Sequence, residues 1–269
     1  MVKVVYGCRL GNNLFQYCLG RIFAEELGFC LDADPVPGFP GTRMPVPGAR
    51  YEEPQEQLTG HRVDFERILS DPTARRLVLD GWFQRQEYYR PYQHRIRQWL
   101  FLDRDVQVPA LNTNDVVVHV RRTDYFDSGW LLPFAYYAEG IERIRRAGGT
   151  VWIVTDDPHD PYLRRFGRWR PTIVRGTPLE HFALLLKAPR LVISHSTFSW
   201  WPAFINHERE IVCPVSPAGP WCEETEGTNL ILRDWFICVD SRDSYRPSPI
   251  ERLYCQTRSM ALRLRGRQW

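Results

Sequence analysis

Short β-branched runs alternate along this chain with stretches in which apolar residues recur every three to four positions. Val2-Lys3-Val4-Val5-Tyr6 predicts a strand, and Gly7–Gly11 a tight loop. Phe15, Leu19, Ile22, Phe23 and Leu27 then form the buried stripe of a helix that Asn12 can cap. Leu77–Phe83 predicts another strand and Tyr92–Leu102 a helix. Residues 33 to 60, rich in Pro and Gly with little periodicity, read as an irregular functional loop. From Val116 the alternation tightens. Strands over 116–120, 151–155, 172–174, 191–194 and 210–213 are separated by helical patterns near 134–147, 159–167, 178–187 and 199–206. An amphipathic helix near 249–264, basic on one face, follows. Alternation this dense predicts α/β architecture with parallel, doubly wound sheets. The expected arrangement is two Rossmann-like halves facing a central cleft. Asp103–Asn114 is the linker between residues 1–109 and 110–248, and the helix of residues 249–269 is expected to pack back on the first domain.

Composition narrows the partner class. A net charge of +3 over 269 residues is too small to argue for nucleic acid. Arginine greatly outnumbers lysine, which favours fixed contacts to anions over a diffuse basic surface. Ten Trp, twelve Tyr and fourteen Phe are a heavy aromatic load; most belong to the core, and the load is compatible with a carbohydrate partner, since sugar-binding clefts also use aromatic faces. Seven scattered cysteines show no metal-ligand spacing and no disulfide framework, so buried thiols in a reducing compartment are expected. With no charged leader and no run of about 18 apolar residues, the expected location is cytoplasmic. The basic terminal helix offers peripheral contact with a membrane.

The chemistry gathers at strand ends, where ligands sit in an α/β sheet. Val116–Val120 releases His119, Arg121, Arg122 and Asp124. A guanidinium fork meets two phosphate oxygens at once and stays charged at any working pH; paired arginines also occur solvated or salt-bridged on loops. Ser194-His195-Ser196-Thr197-Phe198 ends another strand and opens a helix, whose amino terminus favours an anion. Ser196 or Thr197 serves equally as a simple N-cap there. Asp156-Asp157 follows a third strand. Adjacent aspartates on extended backbone point to opposite faces, so they do not chelate one ion together. The Pro214–Thr228 loop follows the last strand.

These blocks resemble the α-1,2-fucosyltransferase family, glycosyltransferase family 11, within the α-1,2/α-1,6/protein O-fucosyltransferase superfamily. The resemblance rests on Gly7-Cys8-Arg9-Leu10-Gly11-Asn12-Asn13-Leu14-Phe15-Gln16-Tyr17, His119-Val120-Arg121-Arg122-Thr123-Asp124-Tyr125 and Ser194-His195-Ser196-Thr197-Phe198-Ser199-Trp200-Trp201, with a weaker block over Leu79–Tyr89. It implies a GT-B fold, a GDP-β-L-fucose donor and inversion to an α-fucoside, with no metal or other cofactor. It also implies a glycan acceptor, a terminal galactose linked α-1,2. By the same resemblance Arg121 holds the donor diphosphate, His119 and Arg122 support that site, and Asp124 orients the arginines. Ser196, Thr197 and Phe198 bind phosphate and ribose, Asp156 or Asp157 reads guanine, and Arg9 and Asn12 face the fucose and acceptor. Cys8, Asn13 and His195 stand where Gly, Gln and Asn are usual, which bears on linkage and acceptor more than on donor.

A general base is harder to single out: Asp124, Asp127, Glu87 and His119 are candidates, or the reaction uses none. Two rivals stand beside this reading, a GT-B transferase with another linkage or nucleotide-sugar donor and a non-catalytic nucleotide- or glycan-binding module.

Overall fold

The computed structural model describes residues 1–264 except 72, 104, 217–219, 222–226, 242–244 and 246, with side chains of the last helix as far as Arg258. The chain divides into two units, Met1–Val106 with Cys222–Leu230, and Gln107–Trp221 with Ile231–Trp269.

The first unit runs β1 (Val2–Val4), α1 (Leu10–Leu27), β2 (Leu31–Asp32), β3 (Gln55–Gly60), α2 (Phe65–Ser70), β4 (Arg76–Gly81), α3 (Gln86–Tyr89) and α4 (Gln93–Trp99). Its sheet is parallel in the order β2-β1-β4-β3. Val2, Val4, Leu77 and Leu79 bury one side of that sheet together with Leu14, Phe15, Leu19 and Ile22 of α1. Two sequence expectations are corrected here. The helix begins at Leu10, with Arg9 at the cap position and no side-chain cap. Asn12 lies inside the first turn, where its Oδ1 accepts from Gln84 Nε2 at 3.0 Å. The helix expected over Tyr92–Leu102 is α4, shorter than expected at both ends; it follows a 3-10 turn, Arg90–Tyr92, that Pro91 opens after α3. The irregular stretch 33–60 holds a 3-10 turn, Pro40–Arg43, and β3. Gln-Glu-Gln-Leu-Thr-Gly escaped detection because it is an edge strand with Leu58 its one buried residue.

Close approach, not conformational freedom, explains Gly81. A Cβ there would stand 2.7 Å from both the backbone nitrogen and oxygen of Gly60 and 2.8 Å from the Phe83 ring. The Gly81 carbonyl also accepts from Gln16 Nε2 at 2.8 Å, while Gln16 Oε1 accepts from the Gly7 amide at 3.1 Å. One buried amide thus joins the ends of β1 and β4.

The second unit contains β5 (Val116–Val120), α5 (Thr123–Ser128), α6 (Phe134–Ile144), β6 (Val151–Thr155), a 3-10 stretch Pro161–Trp169 and β7 (Thr172–Ile173). It continues through α7 (Pro178–Lys187), β8 (Arg190–Val192), α8 (Thr197–Ile205), β9 (Glu210–Val215), β10 (Ile237–Asp240) and α9 (Pro249–Leu264). The sheet is parallel in the order β10-β9-β8-β5-β6-β7. Counted from the first strand, that is the 3-2-1-4-5-6 order of a Rossmann sheet, with its switch point between β5 and β8. β5 is buried at every position, which is why it reads as an unbroken apolar run. α7 opens with a full capping box, Thr177 with Glu180. The predicted helix near 159–167 winds as 3-10, with Pro161 in its first turn and the Asp160 carboxylate accepting from Tyr162 N at 2.8 Å.

α9 packs on α5 and on the 3-10 stretch of its own unit, where the sequence reading sends it to the first domain. The cause is electrostatic. Glu251 in its first turn accepts two hydrogen bonds from Arg165, at 2.9 and 3.1 Å. The basic face expected beyond Arg258 lies outside the described side chains. Among the described residues, no helix is long and apolar enough to cross a membrane.

Replacing Gly81 with Ala should force β3 and β4 apart at their ends, an overpacking cost of about 1–3 kcal/mol. A urea unfolding midpoint equal to wild type would show that the backbone yields freely there.

Candidate functional site

The switch-point rim of the second unit is built by three neighbouring strands. β5 delivers Arg121 and Arg122, β6 delivers Asp156 and Asp157, and β8 delivers Ser194–Thr197. Asp156 organises the turn after β5. Its Oδ1 accepts from the Arg122 amide at 2.9 Å, and its Oδ2 from the Thr123 amide at 3.1 Å and the Thr123 hydroxyl at 2.5 Å. The same Oδ2 lies 3.2 Å from Arg121 Nε. α5 has no side-chain cap of its own, so Asp156 serves as one from the adjacent strand.

The two arginines part company. Arg121 bonds Asp124 Oδ1 through Nε at 2.9 Å and Nη2 at 2.7 Å, lies 5.5 Å from the Tyr125 ring centre, and keeps 13% of its side chain accessible. Burial works against its charge, but Asp156 and Asp124 outweigh that and hold its pKa above the usual arginine value. Arg122 turns inward. Its Nε donates to Asp160 at 2.8 Å, its guanidinium lies 4.1 Å from the Tyr162 ring centre and 5.0 Å from that of Tyr245, and 2% of its side chain is accessible. The expectation that Arg122 supports the donor directly is therefore corrected. It is half of an internal ion pair, which demands its partner because an unpaired buried charge is costly.

The aspartates point to opposite faces, as their adjacency requires. Four donors already occupy Asp156, about the capacity of a carboxylate. Asp157 is buried; it accepts from Tyr254 Oη at 3.0 and 3.2 Å and from the His159 amide at 3.1 Å, and pairs with Arg258 Nε at 3.3 Å. Both carboxylates are thus engaged by protein partners, and reading a guanine edge would need one of those contacts to yield.

On the β8 side, His119 Nδ1 and Ser194 Oγ share a hydrogen bond of 2.8 Å, and the Tyr125 hydroxyl donates to the His195 carbonyl at 2.5 Å. These two bonds tie the end of β5 to the approach of α8. Ser196 is buried at the cap position, its Oγ accepting from Phe198 N at 3.3 Å, and Thr197 is half-buried at the first helical position. Phe198 packs between His119 and Phe182, at ring distances of 5.6 and 5.7 Å, so its role here is packing. Burial pushes the His119 pKa down to about 4, with Asp156 opposing, and that of His195 to about 3. Both rings are neutral near pH 7.

The structure thus brings His119, Arg121, Asp124, Asp156, Ser196 and Thr197 to one rim and sends Arg122 and Asp157 behind it. Arg9 and Asn12 belong to the first unit. Residues 217–219 and 222–226 of the Pro214–Thr228 loop lie outside the described residues. Sequence reasoning gave no role to three site residues: Ser194, Asp160 and Tyr125. Tyr125 carried a signal, being part of the HVRRTDY block, whereas Asp160 carried none.

Two parallel α/β units, the second of Rossmann strand order with a charged rim at its switch point, have the architecture of the GT-B fold. The chain belongs to glycosyl transferase family 11, whose model matches residues 56–235. It is 28% identical over 137 residues to the O-antigen biosynthesis glycosyltransferase WbnK of Escherichia coli, covering 46% of this chain and 44% of that protein. The chain thus spans less than half the length of that curated relative. Among solved structures, a mutant of Arabidopsis thaliana FUT1 in complex with GDP matches with a TM-score of 0.50 at 9% identity, over 78% of this chain and 69% of that one. Fucosyltransferase NodZ from Bradyrhizobium gives 0.49 at 14% identity, over 78% and 94%. The FUT1 likeness is one of fold.

The buried histidines set an acid limit on stability. Their folded pKa values lie below the unfolded value of about 6.5, so the unfolded chain takes up protons first. Stability should be full above pH 6.5 and fall as the pH drops from there towards 4. Urea midpoints that stay level between pH 7 and pH 5 would contradict the buried, neutral state of both rings.

Proposed function

We propose that this chain transfers L-fucose from GDP-β-L-fucose to a glycan hydroxyl, inverting the anomeric centre without a metal, and that the acceptor is a terminal galactose linked α-1,2. The observation that carries the reading is Arg121, fixed at the switch point by Asp124 and Asp156. Its neighbour across the rim is the amino terminus of α8, with Thr197 half-buried.

In the reaction the acceptor oxygen bonds to the anomeric carbon while the bond from that carbon to the β-phosphate oxygen breaks, and GDP departs with the electron pair. A guanidinium already oriented by two carboxylates stabilises the charge that develops on the leaving phosphate with little reorganisation. Asp124, with 44% of its side chain accessible, is the partner placed to yield as the diphosphate arrives. The α8 amino terminus adds its dipole. Engagement of Asp156 and Asp157 by protein donors supports the metal-free reading, since the arginine then neutralises the leaving group.

No side chain is assigned as base. Glu87 is held by Arg85 and by Asn229 at 3.1 Å, and Asp124 by Arg121. His119, at a pKa of about 4, is a poor proton acceptor near neutrality. A dissociative displacement needs no protein base, because the hydroxyl becomes acidic as bonding begins and its proton passes to water or to the departing diphosphate. Membership of family 11 and the O-antigen role of the WbnK relative fit a glycan acceptor.

The outer side of α9 leaves Ile250 and Leu253 70% and 64% exposed. The sequence from Pro249 onward has five arginines to one glutamate. That chemistry suits an anionic membrane surface. Full-length protein should co-sediment with vesicles containing phosphatidylglycerol, release as salt rises, and ignore phosphatidylcholine vesicles; Leu253→Asp should weaken the binding. Equal sedimentation with both vesicle types, or with neither, would remove this contact.

Transfer is tested with GDP-fucose and a panel of β-galactosides, the linkage being read by NMR. UDP- and dTDP-sugars should be rejected, and EDTA should leave the rate unchanged. Arg121→Ala should lower kcat by roughly 10²–10³, about 3–4 kcal/mol, with the fold intact. Arg121→Lys should also fail, because a point charge does not replace the fork. A folded Arg121→Ala variant retaining most of its activity, or activity lost to EDTA, would overturn the corresponding part of the reading.

A further inference from the structure

The rim pair and the residues gripped by α9 are sequence neighbours. Arg121 and Asp156 face the rim; Arg122 and Asp157, one position later on each strand end, point into the packing beneath α9. There Arg122 Nη2 lies 3.9 Å from Cys255 Sγ, and Asp157 accepts from Tyr254 Oη and pairs with Arg258. Arg122, Asp157, Asp160, Tyr254, Cys255 and Arg258 surround a cavity of about 10 Å³, room for about one water, so the contact is close. Arg165 and Glu251 anchor the first turn of α9 on the same side, and Ser248 caps it, its amide donating to Glu251 at 2.7 Å and its hydroxyl accepting from the Glu251 amide at 3.3 Å.

We infer that α9 is the positioning element of the donor site, with Tyr254 and Arg258 acting through Asp157 to set Asp156 and, through it, Arg121. The mechanical argument is short. Asp156 holds the turn after β5 by two amides, a hydroxyl and a guanidinium, so its own placement fixes the direction of Arg121. Asp156 follows directly on β6 and is fixed on its far side by its neighbour Asp157. From α9, Tyr254 donates to Asp157 and Arg258 pairs with it as an ion, in a buried setting where a charge-assisted bond is strong and a missing partner is costly. The neighbouring strand end is held in parallel, since Arg122 is enclosed by Asp160, Tyr162, Tyr245 and Cys255. Tyr254 touches no reacting atom in this scheme; it is a positioning residue. The inference rests on the donor reading only for its effect on turnover, because the geometry of Arg121 can be observed without substrate.

The experiment follows the Arg121 Nε–H resonance in ¹⁵N-labelled full-length protein, assigned by its disappearance in Arg121→Lys. Tyr254→Phe and Arg258→Ala should shift or broaden that resonance, whereas Gln256→Ala, exposed on the same helix, should not. GDP affinity should fall roughly three- to tenfold in Tyr254→Phe while guanosine affinity stays level, since the arginine clamp acts on the diphosphate. General loosening of the fold would weaken both ligands alike. An Arg121 resonance unmoved in both α9 variants would overturn the inference, whatever the activity. If wild-type protein fails to bind GDP, the donor reading falls and the resonance alone decides the positioning role. Should Tyr254→Phe not fold, Arg258→Ala supplies the same comparison, because Arg258 is a third accessible and Tyr254 remains in place.

Discussion

The carboxylate of Asp156 gathers polar contacts from the turn after β5 onto the end of β6. Backbone amides at the start of α5 point their partial positive charge at it, the Thr123 hydroxyl closes on it, and the Arg121 guanidinium lies against it. A helix as short as α5, with no cap of its own, gains its first turn from this borrowed acid. Satisfying those amides and aiming the arginine are therefore one event. Loss of the carboxylate would leave two amides unsatisfied and one cation without its main counter-charge, so local order and ligand chemistry at this rim fail together.

Much of this architecture was legible in the sequence because apolar periodicity survives wherever an element is buried on a regular face. β5 and β6 match their expected limits, and so do α7 and α9. β3 was missed because it lies at a sheet edge and is polar; β2, of two residues, is too short to carry a pattern. The return of Cys222–Leu230 to the first unit was also invisible: its bonds, Gln86 N to the Asn229 carbonyl and Arg85 Nη1 to the Gly227 carbonyl, span more than 140 residues of sequence. At the site, the motif residues were found but not all of their directions. Arg122 reads as a twin of Arg121 until α9 and Asp160 are in place. Which of two adjacent side chains meets the rim depends on partners far along the chain.

The first unit shows the same economy in its backbone. Cys8 and Phe83 carry φ values of +64° and +51°, at the ends of β1 and β4. Left-handed conformations favour glycine, and a bulky residue there stores strain that its surroundings must hold. Glycine is the residue that the Cys8 conformation would favour. Phe83 is completely buried and its carbonyl accepts from Tyr89 Oη at 2.8 Å, which supplies the restraint its dihedral requires.

The alternation of direction at Arg121–Arg122 and at Asp156–Asp157 makes the site a matter of parity. Adding or deleting a single residue in either turn would exchange the outward member for the inward one, presenting Asp157 to ligand and driving Arg121 into the interior. Substitutions at these turns can be graded in effect, whereas a change of length acts as a switch of sides. The site therefore depends on the spacing from strand end to helix start as much as on the identity of the residues within it.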